Sequence, residues 1–178
     1  MLQASVDVYI NPYLQSELMN QLPVSPQTTI SVHRIGLEAY EDARRLFTEY
    51  FDLIGVVLRD DDTAIRDLIG NPAAGVWLAY ADGLAAGCVA LRPLPAIPEA
   101  AECKRLYVAS RFRRRGIAEA LLAQMERDAA AFGYRTIYLD SKDDLRAALA
   151  LYEGAGYTHC ARYNDNPQAS VFMSKRLA

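Results

Sequence analysis

The chain has 178 residues, 52% of them hydrophobic and 23% charged, with a net charge of -3, which fits one globular domain plus a short appendage and excludes a disordered chain. The acidic balance argues against a general nucleic-acid binder, whose affinity rests on a basic face. Three scattered cysteines without a C-x-x-C pair, and only two histidines, argue against a metal centre and for a reduced, cytoplasmic compartment.

Residues 1–27 differ in character from the rest of the chain. Leu14 and Leu18 share one face of a helical pattern over 9–22, and Pro23 and Pro26 break it. This extension reads either as a mobile or loosely docked segment, or as an arm that packs on a second subunit in a homodimer. It lacks the charged-then-apolar order of a signal peptide, and no apolar run in the chain reaches membrane-spanning length, so no membrane partner is expected.

Residues 28–178 read as one mixed domain. A β-rich run over 28–34 leads into helical spacing over 36–54, where Leu37, Tyr40, Ala43, Leu46, Phe47 and Tyr50 form a stripe suited to a sheet. A short helix over 60–69 ends at Gly70-Asn71-Pro72. The apolar runs 75–80 and 84–91 flank Ala81-Asp82-Gly83, which is hairpin punctuation. A proline-rich loop over 93–98 precedes a strand over 101–108.

Next comes a helix over 117–132, with Ile117, Leu121, Met125 and Ala129 on one face and Gly133 at its end. Residues 135–140 alternate as a strand. Ser141-x-x-Asp144 is a capping-box pattern opening a helix over 145–153, which Gly154 and Gly156 terminate. The segments 157–162 and 170–176 form a closing strand pair around a turn at 164–167. The order β-α-α-β-β-β-α-β-α-β-β predicts an α/β or α+β domain with a mixed sheet.

The most informative stretch is Arg113-Arg114-Arg115-Gly116-Ile117-Ala118, between a strand and a helix. Such a turn directs free backbone N–H groups and the positive end of a helix dipole at one spot, which suits a phosphate. Gly116 permits close approach and the arginines add charge at the rim. An ordinary strand–helix turn with solvated arginines is the alternative. The pattern Arg113-x-x-Gly116-x-Ala118 resembles the pyrophosphate-binding turn of the GNAT superfamily of acyl-CoA-dependent N-acetyltransferases. Leu151-Tyr152-Glu153-Gly154-Ala155-Gly156-Tyr157 resembles the second signature of that family, downstream of the turn.

The resemblance covers about residues 28–177. It implies the GNAT fold, an α+β domain whose mixed, mostly antiparallel sheet is flanked by helices. It implies acetyl-CoA as cofactor, with no metal, and a primary amine of a small molecule or peptide as acceptor, attacked directly in a ternary complex. Carried over residue by residue, Leu106, Tyr107 and Val108 pair with the pantetheine arm. Arg113, Arg114, Arg115, Gly116, Ile117 and Ala118 hold the pyrophosphate.

Glu102, eleven residues before Arg113, resembles the general base of the histone-acetylating members, and a solvated strand-end glutamate is its bland reading. Tyr152 corresponds to the tyrosine that protonates the departing thiolate, or else is a core aromatic. Tyr163 and Asn164, in a Tyr-Asn-Asp-Asn-Pro turn like that of small bacterial members, are expected at the acceptor, with Arg92 suited to a carboxylate. Simple turn chemistry is the alternative. Cys103, Cys88 and Cys160 are expected as small buried hydrophobes and Trp77 as core. An acyl-CoA-binding regulator without turnover, and a nucleic-acid binder using the run 111–115, are the competing readings.

Overall fold

The computed structural model describes residues 29–57 and 59–178, so the expected helix and subunit arm within 1–27 lie outside the described residues. Strand β1 (Ile30–Arg34) is followed by helix α1 (Tyr40–Ile54) and helix α2 (Asp62–Gly70). Strands β2 (Gly75–Ala81), β3 (Leu84–Pro93) and β4 (Ala100–Val108) come next. Helix α3 (Ile117–Ala131), strand β5 (Thr136–Ser141), helix α4 (Arg146–Gly154) and strands β6 (Thr158–His159) and β7 (Val171–Arg176) complete the domain. The sheet has seven strands in the order β1-β2-β3-β4-β5-β7-β6. Among the described residues, only β4 and β5 pair in parallel.

Local chemistry explains most boundaries. Asp82 and Gly83 both take positive φ (53° and 77°), the two-residue turn whose twist matches a hairpin between β2 and β3. The Asp61 carboxylate accepts the Ala64 N–H at 2.8 Å and starts α2. The capping box expected at Ser141-x-x-Asp144 does not form. Ser141 remains in β5, Leu145 caps α4 without a side-chain bond, and the Asp143 N–H turns instead to Ser170 Oγ at 2.9 Å.

Helices α1 and α3 cover opposite faces of the sheet. Gly87 looks toward Ile117 and Leu121 of α3, whereas Tyr107, paired with Cys88, donates its hydroxyl to Glu49 of α1 at 3.1 Å. Trp77 is fully buried and donates to Asp128 of α3 at 2.6 Å. One irregularity decides which side chains share a face. Arg105 and Leu106 of β4 stand opposite the single residue Val89, forming a bulge, and Arg105 has φ +58°. For a residue with a side chain that conformation costs about 1 kcal/mol. The extra residue puts Lys104 and Tyr107 on the same face, together with Arg92 and Glu102.

At Gly87 an added Cβ would lie 2.7 Å from the Tyr107 carbonyl oxygen and 3.1 Å from Leu121. Gly87→Ala is therefore expected to lower the unfolding free energy by about 1–3 kcal/mol. Chemical denaturation of the variant beside the wild type measures it.

Candidate active site

Strands β4 and β5 pair at Ala100–Thr136, Ala101–Ile137 and Glu102–Tyr138, and then separate. Beyond that point β4 runs on to Val108 and β5 to Ser141 with no ladder pairing between them. A cleft of about 800 Å³ occupies the gap. It is bordered by Leu106, Tyr107 and Val108 on one side, by Asp140 and Ser141 on the other, and by Tyr152 of α4.

The turn before α3 opens into the same cleft. Arg114 and Gly116 have positive φ (62° and 74°), which swings successive amides toward one side. Gly116 caps α3 without a side-chain bond, and the first helical bond runs from Ala120 N–H to the Gly116 carbonyl. The N–H groups of residues 114–119 therefore have no acceptor among the described residues. Six amides on a helix dipole form a site for an anion, so the residues fit a pyrophosphate. The arginine side chains stabilise the turn itself. Arg113 Nε donates to the Val108 carbonyl at 3.0 Å, and the Arg111 and Arg115 guanidiniums lie 4.7 and 5.6 Å from the Phe112 ring centre.

Tyr152 is buried and its ring meets Tyr157 edge-on at 5.8 Å. Burial raises its phenol well above 10, so it stays a proton donor. Tyr152 therefore packs in the core, as one of its two readings expected, and also borders the cleft. Cys103 also borders the cleft, on the face opposite Glu102, and burial pushes its thiol up, so it stays protonated and a poor nucleophile. Cys88 is likewise buried, but Cys160 is only half-buried, contrary to expectation.

Glu102 is placed differently from the expected base. Among the described residues it is the one charged side chain in the buried set, at 0% exposure, and it does not border the large cleft. Its Oε2 accepts from Arg92 Nε at 2.6 Å and forms an ion pair with Arg92 Nη2 at the same distance. Its Oε1 accepts from Tyr163 Oη and Asn164 Nδ2, both at 2.9 Å, and from Lys104 Nζ at 3.4 Å. Those donors fill the lone pairs of a carboxylate. An amine proton would have to displace one of them.

Three carboxylates border the cleft, Glu119, Asp140 and Asp144, and of these only Asp140 is not solvent-exposed. Lys104 Nζ reaches it at 3.3 Å, Asn164 Nδ2 at 2.8 Å and Asn166 Nδ2 at 3.1 Å. Burial alone would raise its pKa. The Lys104 charge and the three side-chain donors outweigh that and hold it below the ordinary value. The polar atoms of Tyr163 and Asn164, expected at the acceptor, are thus engaged by Glu102 and Asp140. The turn reading is also correct, because Asn164 and Asn166 side chains accept the Asn166 and Gln168 N–H groups.

These inward contacts explain why β6 is only two residues long where six were expected. The chain leaves the ladder after Cys160 so that the loop can face β4 and β5. Lys104, Arg105 and Asp140 were not singled out by sequence, whereas Asn166 was, as a member of the Tyr-Asn-Asp-Asn-Pro turn. For Lys104, its two-residue offset from Glu102 was the available signal.

A depressed carboxylate stabilises the fold above its unfolded pKa, about 3.9, and that contribution disappears as pH falls through the lower folded value. The stability gap between wild type and Asp140→Asn is therefore expected to be constant from pH 5 to 7 and to shrink below about pH 4. Urea titrations across that range read it directly.

Comparison with known proteins agrees with this geometry. The profile of the acetyltransferase (GNAT) family matches residues 38–157. An uncharacterized N-acetyltransferase of Schizosaccharomyces pombe is 30% identical over 151 residues, 81% of this chain and 92% of its own length. An uncharacterized N-acetyltransferase of Bacillus subtilis is 31% identical over 112 residues, 60% of this chain and 72% of its own. A GNAT-family acetyltransferase of Staphylococcus aureus superposes with TM-score 0.73 at 17% identity, over 84% of this chain and 100% of that one. The PaiA N-acetyltransferase of Thermoplasma acidophilum, solved with coenzyme A, does so with TM-score 0.68 at 16% identity, over 83% and 99%. With its splayed β4–β5 pair, its uncapped helix turn and a family profile over two thirds of its length, the chain belongs to the GNAT acetyltransferase family.

Proposed function

We propose that this protein transfers an acetyl group from acetyl-CoA to a primary amine of a small molecule or peptide, by direct attack within a ternary complex. One observation carries the reading. The unpaired edge of β4, the six unpaired amides at 114–119 and the protonated Tyr152 all meet in a single cleft.

Acetyl-CoA supplies the thioester whose acyl carbon the amine attacks. The amides of residues 114–119 bind the pyrophosphate, and the edge of β4 at Leu106–Val108 takes up the pantetheine amides as an added strand would. The open β4 backbone near Val108 is suited to hold negative charge developing on the acyl oxygen. Tyr152 delivers the proton that the departing thiolate requires. The protonated Cys103 takes no part, which favours direct attack over a covalent relay.

Proton removal from the amine runs through water in the open cleft to bulk solvent, and Asp140, the one cleft carboxylate that is not solvent-exposed, stays ionised there and favours the ammonium on arrival. Glu102 acts as a positioning residue that anchors Arg92, Lys104, Tyr163 and Asn164. Tyr163 and Asn164 shape the acceptor side of the site through that anchoring.

Two substitutions separate the roles. Tyr152→Phe is expected to lower kcat about 100-fold while leaving coenzyme A affinity nearly unchanged. Glu102→Gln is expected to cost about 3 kcal/mol of stability, through lost charge pairing, with kcat of the folded fraction reduced less than tenfold. Steady-state thiol release combined with denaturant titration checks both. A stable Glu102→Gln protein with abolished kcat would return the base role to Glu102.

A further inference from the structure

A second, smaller cavity of about 230 Å³ lies on the α2 side of the sheet. Lys104 and Arg105 border both this cavity and the large cleft, so they form the partition between the two. The floor is apolar, with Ala90, Leu91 and Pro93 of β3 and Leu68 of α2. The cations converging on it are Arg92, Lys104 and Arg105, and two carboxylates also border it, Asp60, which pairs with Arg105, and Asp67.

Each guanidinium is held by one carboxylate and keeps donors in reserve. Arg92 uses Nε and Nη2 on a single oxygen of the buried Glu102, and its side chain remains 52% exposed. Arg105 uses Nε and Nη2 on a single oxygen of Asp60, at 2.8 and 2.7 Å. An arginine has five N–H donors in a rigid fork, so each has three beyond those contacts. The rest of the structure fixes both forks in place. Glu102 is anchored by Tyr163 and Asn164, and the Arg105 guanidinium lies 5.1 Å from the Phe51 ring centre. The strained backbone of Arg105, φ +58° in mid-strand, is what brings this side chain to the partition.

We propose that this cavity is the acceptor subsite and that it selects amines carrying a carboxylate, such as a short amino acid. The carboxylate sits between Arg92 and Arg105, and the amine points past Lys104 toward Asp140 and the large cleft. A volume of about 230 Å³ restricts the occupant to a small molecule, and the excess of three cations over Asp60 and Asp67 at the rim favours an anionic group. Paired rigid guanidiniums discriminate a carboxylate from its neutral amide, because the amide returns one weaker acceptor and no charge. The inference rests on the acetyl-transfer reading for the identity of the reaction, and on the arginines alone for the identity of the ligand.

The test is calorimetric titration of the full-length protein, saturated with coenzyme A, with a panel of L-amino acids and their α-carboxamides. The best-binding acid is expected to exceed its carboxamide in affinity about tenfold or more. That ratio is expected to fall at least threefold in Arg92→Gln or in Arg105→Gln. The wild-type comparison does not depend on either variant folding. Equal affinity of acid and amide, or no binding of any amino acid at millimolar concentration, overturns the subsite. Thiol release from acetyl-CoA is measured in parallel on the same panel plus simple alkylamines. Turnover without preference for acids overturns the subsite but leaves acetyl transfer standing. Selective binding of acids without thiol release on any amine supports the subsite and overturns acetyl transfer.

Discussion

After the pair Glu102–Tyr138, strands β4 and β5 part, and both must be held open against the tendency of neighbouring strands to complete their ladder. The Tyr163-Asn164 loop does this with a few polar atoms. The two N–H groups of Asn164 Nδ2 go one to Glu102 on β4 and one to Asp140 on β5, at 2.9 and 2.8 Å. Lys104 spans the same two carboxylates. Burying two carboxylates is unfavourable unless each is paired and hydrogen-bonded, and here the pairing partners are the groups that set the width of the gap. The loop itself is tied down from the other side. Gln168 Nε2 donates to the Gly55 carbonyl at 3.2 Å and its Oε1 accepts the Val57 N–H at 3.3 Å, while Lys142, just after β5, donates to the Ile54 carbonyl at 2.8 Å, so the segments after β6 and after β5 are both tied to the end of α1.

The opposite end of the cleft depends on the start of α3. Arg113 bonds back to Val108, so the anion turn and the open strand edge are one mechanical unit. Close contact of Gly87 with Ile117 and Leu121 seats α3 against the sheet, which fixes where its free amides point. The free amides are thereby referred to the same strand, β4, whose bulge places Arg105 between the large cleft and the smaller cavity. In the proposed reading a single strand carries both halves of the site.

The order of elements was legible in the sequence because hydrophobic period and turn residues are local signals. The stripe through Tyr40, Ala43, Leu46 and Phe47, the Asp82-Gly83 hairpin and the Gly116 turn each announce themselves within a few residues. What was not legible depends on partners far away in the chain. Nothing in Arg105 favours positive φ, and the bulge exists because the register of β3 demands it. The capping box at Ser141 failed because β5 retained that serine in its ladder with β7. Glu102 was found by spacing, but whether its carboxylate faces a substrate or five protein donors is decided by Arg92, Lys104, Tyr163 and Asn164, up to 62 residues away. The free amides at 114–119 follow from backbone geometry and so travel with the motif. The contacts of Glu102, Asp140 and Asn164 follow from side-chain packing and do not.

The central claim is that the open edge of β4 and the amides at the start of α3 form one coenzyme A site. Backbone-amide hydrogen exchange with and without coenzyme A addresses it most directly. New protection is expected to be confined to residues 106–108 and 114–119, with little change in α2 or β1. Protection elsewhere, or no change in the presence of saturating coenzyme A, would contradict it.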